Sequence, residues 1–383
     1  MLYSQDQTWA SEALERFLLK MTVMRERACT KIPYTTKNGK YDDNSTLAAE
    51  KSMGIGWWTN GFWAGMMWLL YHETKEERYA EIARFSEEQL DTCFDEFYDL
   101  SHDLGFVYQP TAVADYRLTG SQAGRRRGLH AACLLAGRFN PAGNFIRAWT
   151  DWGDGRDTTG WAIIDCMMNL NLLYWASDEL GDPRFRQIAM LHADTAMSAF
   201  VRPDGSVNHI VSFDPETGIL LGSLGGQGYG EGSSWTRGQA WGIYGFALSY
   251  VHTGKTEYLD TAKRIAHYFI SNIPEDGRIP TDFRAPVEPF YEDASAAAIA
   301  ACGFLELADL VPALEKDLYR KAAVKLLRTL DSRNCDYNPD TDGVLRNCTA
   351  AYHDKTHEFH IVYGDYFYLE ALLMLKGSDF RMW

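Results

Sequence analysis

Apolar positions recur at helical spacing along most of the chain. In "GFWAGMMWLLYHE", Phe62, Met66 and Leu70 stand at i, i+4 and i+8 with Trp63 and Met67 alongside, which predicts a helix apolar on nearly every side. The stretch that follows, "EERYAEIARFSEEQLDTCF", keeps the period but is charged on one face. The pairing returns: "WAIIDCMMNLNLLYWA" precedes "PRFRQIAMLHADTAMSAFV", "SWTRGQAWGIYGFALSYVH" precedes "TEYLDTAKRIAHYFISNI", and "DASAAAIAACGFLELADL" precedes "ALEKDLYRKAAVKLLRTLDS". Several amphipathic members begin near a Gly-Asp or Gly-Lys turn, as in "LGDPRFRQ" and "HTGKTEYLD". A helix apolar all round is buried and an amphipathic one faces solvent. The alternation therefore predicts an all-α fold of about twelve helices, or six hairpins, closed into a ring with inner helices walled by outer ones. "GSVNHIVSFDPETGILLG", residues 205–222, breaks the period and predicts a short β-hairpin turning at "DPETG", inserted over one mouth of the ring. No Pro- or Ser-rich linker interrupts the pattern, so one domain spanning 1–383 is expected.

Composition narrows the partners. The 383 residues are 46% hydrophobic, ample for a large core, and carry a formal net charge of −15. Such an acidic balance argues against nucleic acid or an anionic membrane as the main partner. An anionic ligand would need a local cluster of hydrogen-bond donors to overcome that field. The first segment, "MLYSQDQTWASEALERFLLK", lacks the basic-then-apolar order of a signal peptide, and no stretch approaches the roughly 20 apolar residues of a bilayer span. The seven cysteines form no CxxC pair and are odd in number, which suits reduced thiols and a cytoplasmic location.

Common cofactor and nucleophile motifs are missing. "HTGKT" has Ser249 where a P-loop needs its first Gly, and "GGQGYGEG" lacks the G-x-G-x-x-G spacing. "HETKE" and "HEFH" miss the zinc spacing H-E-x-x-H, and no G-x-S-x-G elbow exists. No nucleotide, metal or other cofactor is expected.

One carboxylate stands out. Projected as a helix, 161–176 puts Asp165 on a face with Trp161, Ala162, Met168 and Leu172, where only Asn169 is polar. A desolvated carboxyl has a raised pKa and can hold a proton near neutrality, as a general acid must. A buried Asp that caps a neighbouring helix or pairs with an Arg fits the pattern equally well. Around it the chain offers Trp-rich segments with isolated polar groups: "GWWTNGFWAG", "FIRAWTDWGDG" and "QGYGEGSSWTRGQAWGIYG". With Ser234 as N-cap, Arg237 and Trp241 would share a helical face, and Gly238, Gly242 and Gly245 would form a small one. "SHDLGFVYQP" sets His102 beside Asp103, and "DGSVNHI" offers His209. Aromatic rings beside His, Gln and Arg suit a saccharide pocket; large aromatics filling a large core are the other reading.

These motifs resemble the unsaturated glucuronyl hydrolases, glycoside hydrolase family 88. The likeness runs through "WWTNGFWAGMMWLLYHETKEERY", "HDLGFVYQP", "FIRAW", "IIDCMMNLNLLYWA", "FDPETG", "GSSWTRGQAWGIYGFALSY", "DASAAAIAACGFLE" and "YGDYFYLEALL". It implies an (α/α)6 barrel, with Asp165 as catalytic acid/base and Asp103 as a second essential carboxylate that holds up the pKa of Asp165. It also implies that His102, Trp149, His209, Gln227, Trp235, Arg237 and Trp241 contact the sugar, with Trp58 at the pocket wall. The implied reaction is hydration of the C4=C5 bond of an unsaturated uronate at the non-reducing end of lyase-generated fragments, with release of the aglycone. Unsaturated disaccharides and oligosaccharides are then the partners, and a monomer or homodimer the expected state. Relatives acting on sulfated fragments resemble one another in a Ser-x-x-Ser-x-Lys cluster before the final GDY; here "AAYHDK" has Ala350 and His353 at the serine positions and keeps only Lys355 as a candidate contact. Neighbouring readings are an unsaturated rhamnogalacturonyl hydrolase, a non-catalytic oligosaccharide-binding barrel, and an epimerase relying on His209.

Overall fold

The computed structural model describes residues 2–47, 53–150 and 155–383. Six inner helical staves form a ring: α2 (Gly61–Thr74), α4 (Leu104–Tyr108) running into α5 (Ala114–Thr119), α7 (Cys166–Leu180), α9 (Thr236–Thr253), α11 (Ala294–Leu310) and α13 (Val362–Lys376). Six outer helices wall them: α1 (Leu2–Arg27), α3 (Glu77–Asp95), α6 (Gln122–Ala136), α8 (Pro183–Ala199), α10 (Thr256–Ser271) and α12 (Ala313–Thr329). Inner neighbours touch in the order α2, α4, α7, α9, α11, α13 and back to α2, while each outer helix backs one inner stave, α1 lying on α13. This is an (α/α)6 barrel, and the predicted alternation maps onto it. α11 is buried along almost all of its length, whereas α10 buries one face through Tyr258, Ala262, Ile265, Ala266 and Phe269.

Between α4 and α5 the helix widens into a π-turn over Gln109–Val113. Pro110 has no N–H to continue the ladder, so the turn loosens there without ending the helix.

Two two-stranded ribbons, β1 (Thr36–Lys37) with β2 (Lys40–Tyr41) and β3 (Phe139–Asn140) with β4 (Phe145–Ile146), lie between helices. A three-stranded antiparallel sheet joins β5 (Trp161–Ile163), β6 (Ile210–Phe213) and β7 (Leu220–Leu224). The hairpin turns where expected: Asp214 Oδ1 accepts from the N–H groups of Glu216 and Thr217, and Gly218 N–H donates back to the Asp214 carbonyl.

The structure corrects two sequence expectations. Residues 161–176 are not one helix, because Trp161–Ile163 pairs with β6 as a strand and the helix starts at Cys166. Asp165 thus sits at the helix entrance, and its supposed face with Trp161 and Ala162 does not form. The N-cap of α9 is Trp235 rather than Ser234, whose hydroxyl has no partner among the described residues, and Thr236 Oγ1 donates to the Pro280 carbonyl.

Gly105 sets the spacing between the entrances of α4 and α7. A Cβ there would lie 2.4 Å from Asn169 Cα and 2.6 Å from the Asn169 carbonyl oxygen. Backbone cannot yield as a side chain can, so Gly105→Ala is expected to destabilise by about 1–3 kcal/mol, the usual cost of overpacking. Urea denaturation checks this; a shift below about 0.5 kcal/mol would show that the two staves slide freely.

Candidate active site

The first turns of the inner helices and the loops before them meet at one mouth of the barrel. Trp58, just before α2, lies 4.9 Å ring to ring from Tyr363 at the start of α13 and 5.5 Å from Phe106 in α4. Phe106 in turn packs 4.9 Å from Trp241 in α9. Helix N-termini carry partial positive charge, so six of them at one end give an acidic protein a mouth that tolerates an anion.

Asp103 and Asp165 occupy the N-cap positions of α4 and α7, yet neither side chain caps its helix. Both are buried, and burial pushes both pKa values up, Asp103 to about 8 and Asp165 to about 7. Around Asp165, the Arg237 charge pulls the other way. The negative charge of Asp165 raises Asp103 further, while the Ser101 hydroxyl, donating to Asp103 Oδ2 at 3.0 Å, lowers it. Like charges this close disfavour each other, so the negative charge of either carboxylate holds up the pKa of its neighbour. The two carboxyls titrate as a pair.

Replacing Asp103 by Asn leaves Asp165 to hold the proton alone. Carboxyl NMR of Asp-labelled protein should show wild type losing its two site protons in steps near pH 7 and near pH 8, and Asp103→Asn showing one step near pH 7. A single step far below pH 7 in the variant would mean that Asp165 owes its raised pKa to Asp103 and not to burial.

Histidines flank the pair. His209 Nδ1 accepts the Gln227 N–H at 2.9 Å, so the neutral ring carries its proton on Nε2, 3.7 Å from Asp165 Oδ1. Burial first, then Arg237, lowers its pKa to about 3, which keeps it uncharged. Gly226, at φ +59°, lets the loop close on this ring, since a Cβ would stand 1.9 Å from His209 Nδ1. His102 Nε2 is 3.3 Å from Asp103 Oδ1 without a hydrogen-bonding alignment, and burial holds its pKa well below the usual histidine range. Trp149 stands edge-on to both histidines, at 6.1 Å from His102 and 6.4 Å from His209, and the Trp235 ring lies 4.3 Å from His209. Trp152, in the same Trp-rich segment, lies outside the described residues.

Arg237 is fully buried and largely committed. Its Nη1 donates to Asp293 Oδ2 and to the Thr349 carbonyl, both at 2.6 Å, and its Nη2 donates to the Ala350 carbonyl. The Trp235 and Tyr363 rings lie 4.5 and 5.3 Å from its guanidinium carbon. Gln227 Nε2 also donates to the Ala350 carbonyl, at 2.9 Å. Of "AAYHDK", the Ala350 carbonyl accepts from Arg237 and Gln227, while the Lys355 side chain is exposed.

Several buried polar atoms at this mouth have no hydrogen-bond partner among the described residues: both His102 nitrogens, His209 Nε2, Asp165 Oδ1, Trp235 Nε1, Trp241 Nε1, Arg237 Nε and the Tyr363 hydroxyl. Buried polar groups are almost always paired, so such a cluster fits a polyhydroxylated ligand. Sequence reasoning missed Asp293, Tyr363 and Phe106 as members. Each lies in a quoted motif, but nothing local shows that Asp293 neutralises an arginine 56 positions earlier.

No protein-family model matches the chain. The unsaturated glucuronyl hydrolase of Bacillus sp. (strain GL1) is 39% identical over 336 residues, which is 85% of this chain and 88% of that protein. The chain belongs to the unsaturated glucuronyl hydrolase family. The solved glucuronyl hydrolase from Bacillus sp. GL1, responsible for the degradation of glycosaminoglycan, superposes with a TM-score of 0.88 at 35% identity, covering 96% of this chain and 97% of its own. A mutant glucuronyl hydrolase from Streptococcus agalactiae complexed with dGlcA-GalNAc6S gives a TM-score of 0.82 at 30% identity, covering 98% and 94%.

Proposed function

We propose that this chain is a glycoside hydrolase that removes 4,5-unsaturated glucuronic acid from the non-reducing end of oligosaccharides by hydrating the C4=C5 vinyl ether. The observation that carries the reading is the pair of buried carboxyls, raised to about 8 and about 7, at a mouth lined with unpaired donors and tryptophans. Near neutrality such a pair holds a proton to give. Asp165 delivers it to C4: the alkene electrons form the C4–H bond, and positive charge develops at C5, shared with the ring oxygen. Water adds to C5 and Asp165, now a carboxylate, takes the water's proton. The resulting hemiketal opens, releasing the aglycone and leaving a keto-uronate. The pair gains a negative charge as Asp165 gives up its proton, facing the cation that forms, and a neutral His209 beside it adds no opposing positive charge. The anomeric carbon is never attacked, so the carboxylate-separation rule for retaining and inverting enzymes does not apply.

Arg237, already balanced by Asp293, serves as a fixed positive wall and the anchor of the Ala350 carbonyl; His102, His209, Trp235 and Trp241 supply the free donors, with Trp58 and Trp149 as stacking walls. The Streptococcus agalactiae complex contains a sulfated GalNAc; this chain, with Ala350 and His353 in place of serines, is assigned to unsulfated glucuronyl fragments. The test is the ultraviolet absorbance of the conjugated alkene with unsaturated chondroitin or hyaluronan disaccharides. Decay with the unsulfated forms is expected, and slower decay with the sulfated ones. No decay with any, or decay only with unsaturated pectin fragments, would overturn the assignment.

A further inference from the structure

Close to the carboxyl pair lies a cation that takes no part in the proton steps. Arg138, just past the end of α6, is partly buried. Its Nη1 donates to the Leu100 carbonyl at 2.9 Å, its Nη2 to the Ala148 carbonyl at 3.0 Å and its Nε to the Arg147 carbonyl at 2.9 Å. The Ala148 carbonyl also accepts the His102 N–H at 3.1 Å, and the Ala148 N–H donates to the Trp161 carbonyl at 2.8 Å. One planar guanidinium thereby joins the segment that carries His102 and Asp103 to the segment that carries Trp149. Through Ala148 it also reaches β5, which leads into Asp165.

The position is a costly one for a charge. Besides those carbonyls, its described partner is the Thr150 hydroxyl at 3.5 Å, so none of its bonded oxygens is charged. Burial first, then the neighbouring Arg147, lowers its pKa to about 10, and it keeps its proton at neutral pH. A buried arginine is normally matched by a carboxylate at bonding distance, as Arg237 is by Asp293. Around Arg138 the offsetting charges are Asp103 and Asp99, which act on it through space. Beyond burial, Asp103 is pushed up by Asp165 and Asp99 and pulled down by Ser101 and Arg138. His102 stands neutral at 3.3 Å from it, and burial keeps the Cys166 thiol at the entrance of α7 protonated.

We propose that Arg138 is a positioning residue for the hydration step: its guanidinium holds the His102–Asp103 segment in register with Trp149, and its charge supports the Asp103 carboxylate beside Asp165. The proposal rests on the hydrolase reading above and deepens it by naming what fixes the second carboxylate. Arginine suits the place because its flat fork serves three carbonyls in fixed directions, whereas an ammonium is a single point charge. Without the fork the two segments lose their common anchor. Without the charge Asp103 faces Asp165 and Asp99 unopposed from this side.

The experiment compares Arg138→Lys, which keeps the charge and loses the fork, with Arg138→Gln, which loses both, in the full chain. On an unsaturated glucuronyl disaccharide both should lower kcat per folded enzyme by about ten- to a hundredfold, the scale of a group misplaced by about 1 Å, with a smaller rise in KM. Carboxyl NMR of the free protein separates the two roles. The upper step of the pair, near pH 8 in wild type, should stay in place in Arg138→Lys and move higher in Arg138→Gln, because a positive charge that favours the carboxylate is gone. Wild-type kcat in both folded variants would overturn the proposal. So would an upper step that stays in place in Arg138→Gln, because Arg138 would then be a staple of the fold alone. If Arg138→Gln does not fold, Arg138→Lys decides: a lowered kcat with the step unmoved supports the proposal, and wild-type kcat overturns it. Wild type inactive on the disaccharide would remove the hydrolase reading, while the titration of Asp103 would still test Arg138.

Discussion

Replacing Asp165 by Asn should lower kcat for alkene hydration by about a thousandfold or more, because the amide can neither give the C4 proton nor take one from water. The shape is preserved, so the variant should still bind the unsaturated disaccharide, measured by calorimetry. It should also be the more stable protein at neutral pH. A folded carboxyl at about 7 against a model value of 3.8 means that the native state holds a proton which the unfolded chain has released. Between those two values wild-type stability falls as pH rises, on the order of a few kcal/mol across the window, and Asn removes that loss. Below pH 4 the two proteins should melt alike; above pH 7 the variant should melt higher. Retained hydration would remove Asp165 from the proton step, and equal melting at every pH would show that its carboxyl is not held neutral by burial.

How far this site could be read from the sequence depends on the range of each interaction. The barrel was legible because "GFWAGMMWLLYHE" and "EERYAEIARFSEEQLDTCF" differ in which faces are apolar, and burial follows that difference directly. The hairpin was legible because Asp214 and Gly218 are local turn chemistry. The strand at Trp161–Ile163 was not, since three apolar residues before a helix look like its first turn until β6 pairs with them. Asp165 was still singled out, although from a helical face that does not form as drawn; what held was the burial of its carboxyl. The Arg237 pairing was not legible, since the sequence shows the neighbours of Arg237 in its helix and not Asp293, which reaches it from the entrance of α11.

That pairing gives the other large effect. Arg237 and Asp293 are almost wholly buried and meet at 2.6 Å, and removing one partner of such a pair leaves an uncompensated charge in the core. Asp293→Asn keeps the size of the side chain and should cost about 3–5 kcal/mol in urea denaturation. Exchanging both residues together, with Arg237→Met and Asp293→Leu, should cost less than the sum of the single changes, since no charge is then stranded. The site should feel the single change too. Arg237 already pulls the pKa of Asp165 down, and without Asp293 its charge is no longer offset. Asp165 should then release its proton at lower pH than in wild type, and activity should fade from the alkaline side first. A loss below about 1 kcal/mol in Asp293→Asn would mean that the guanidinium finds solvent instead. A full loss of stability with no shift in the alkaline limb would confine the pair to holding α9 against α11, and leave the proton on Asp165 governed by burial alone.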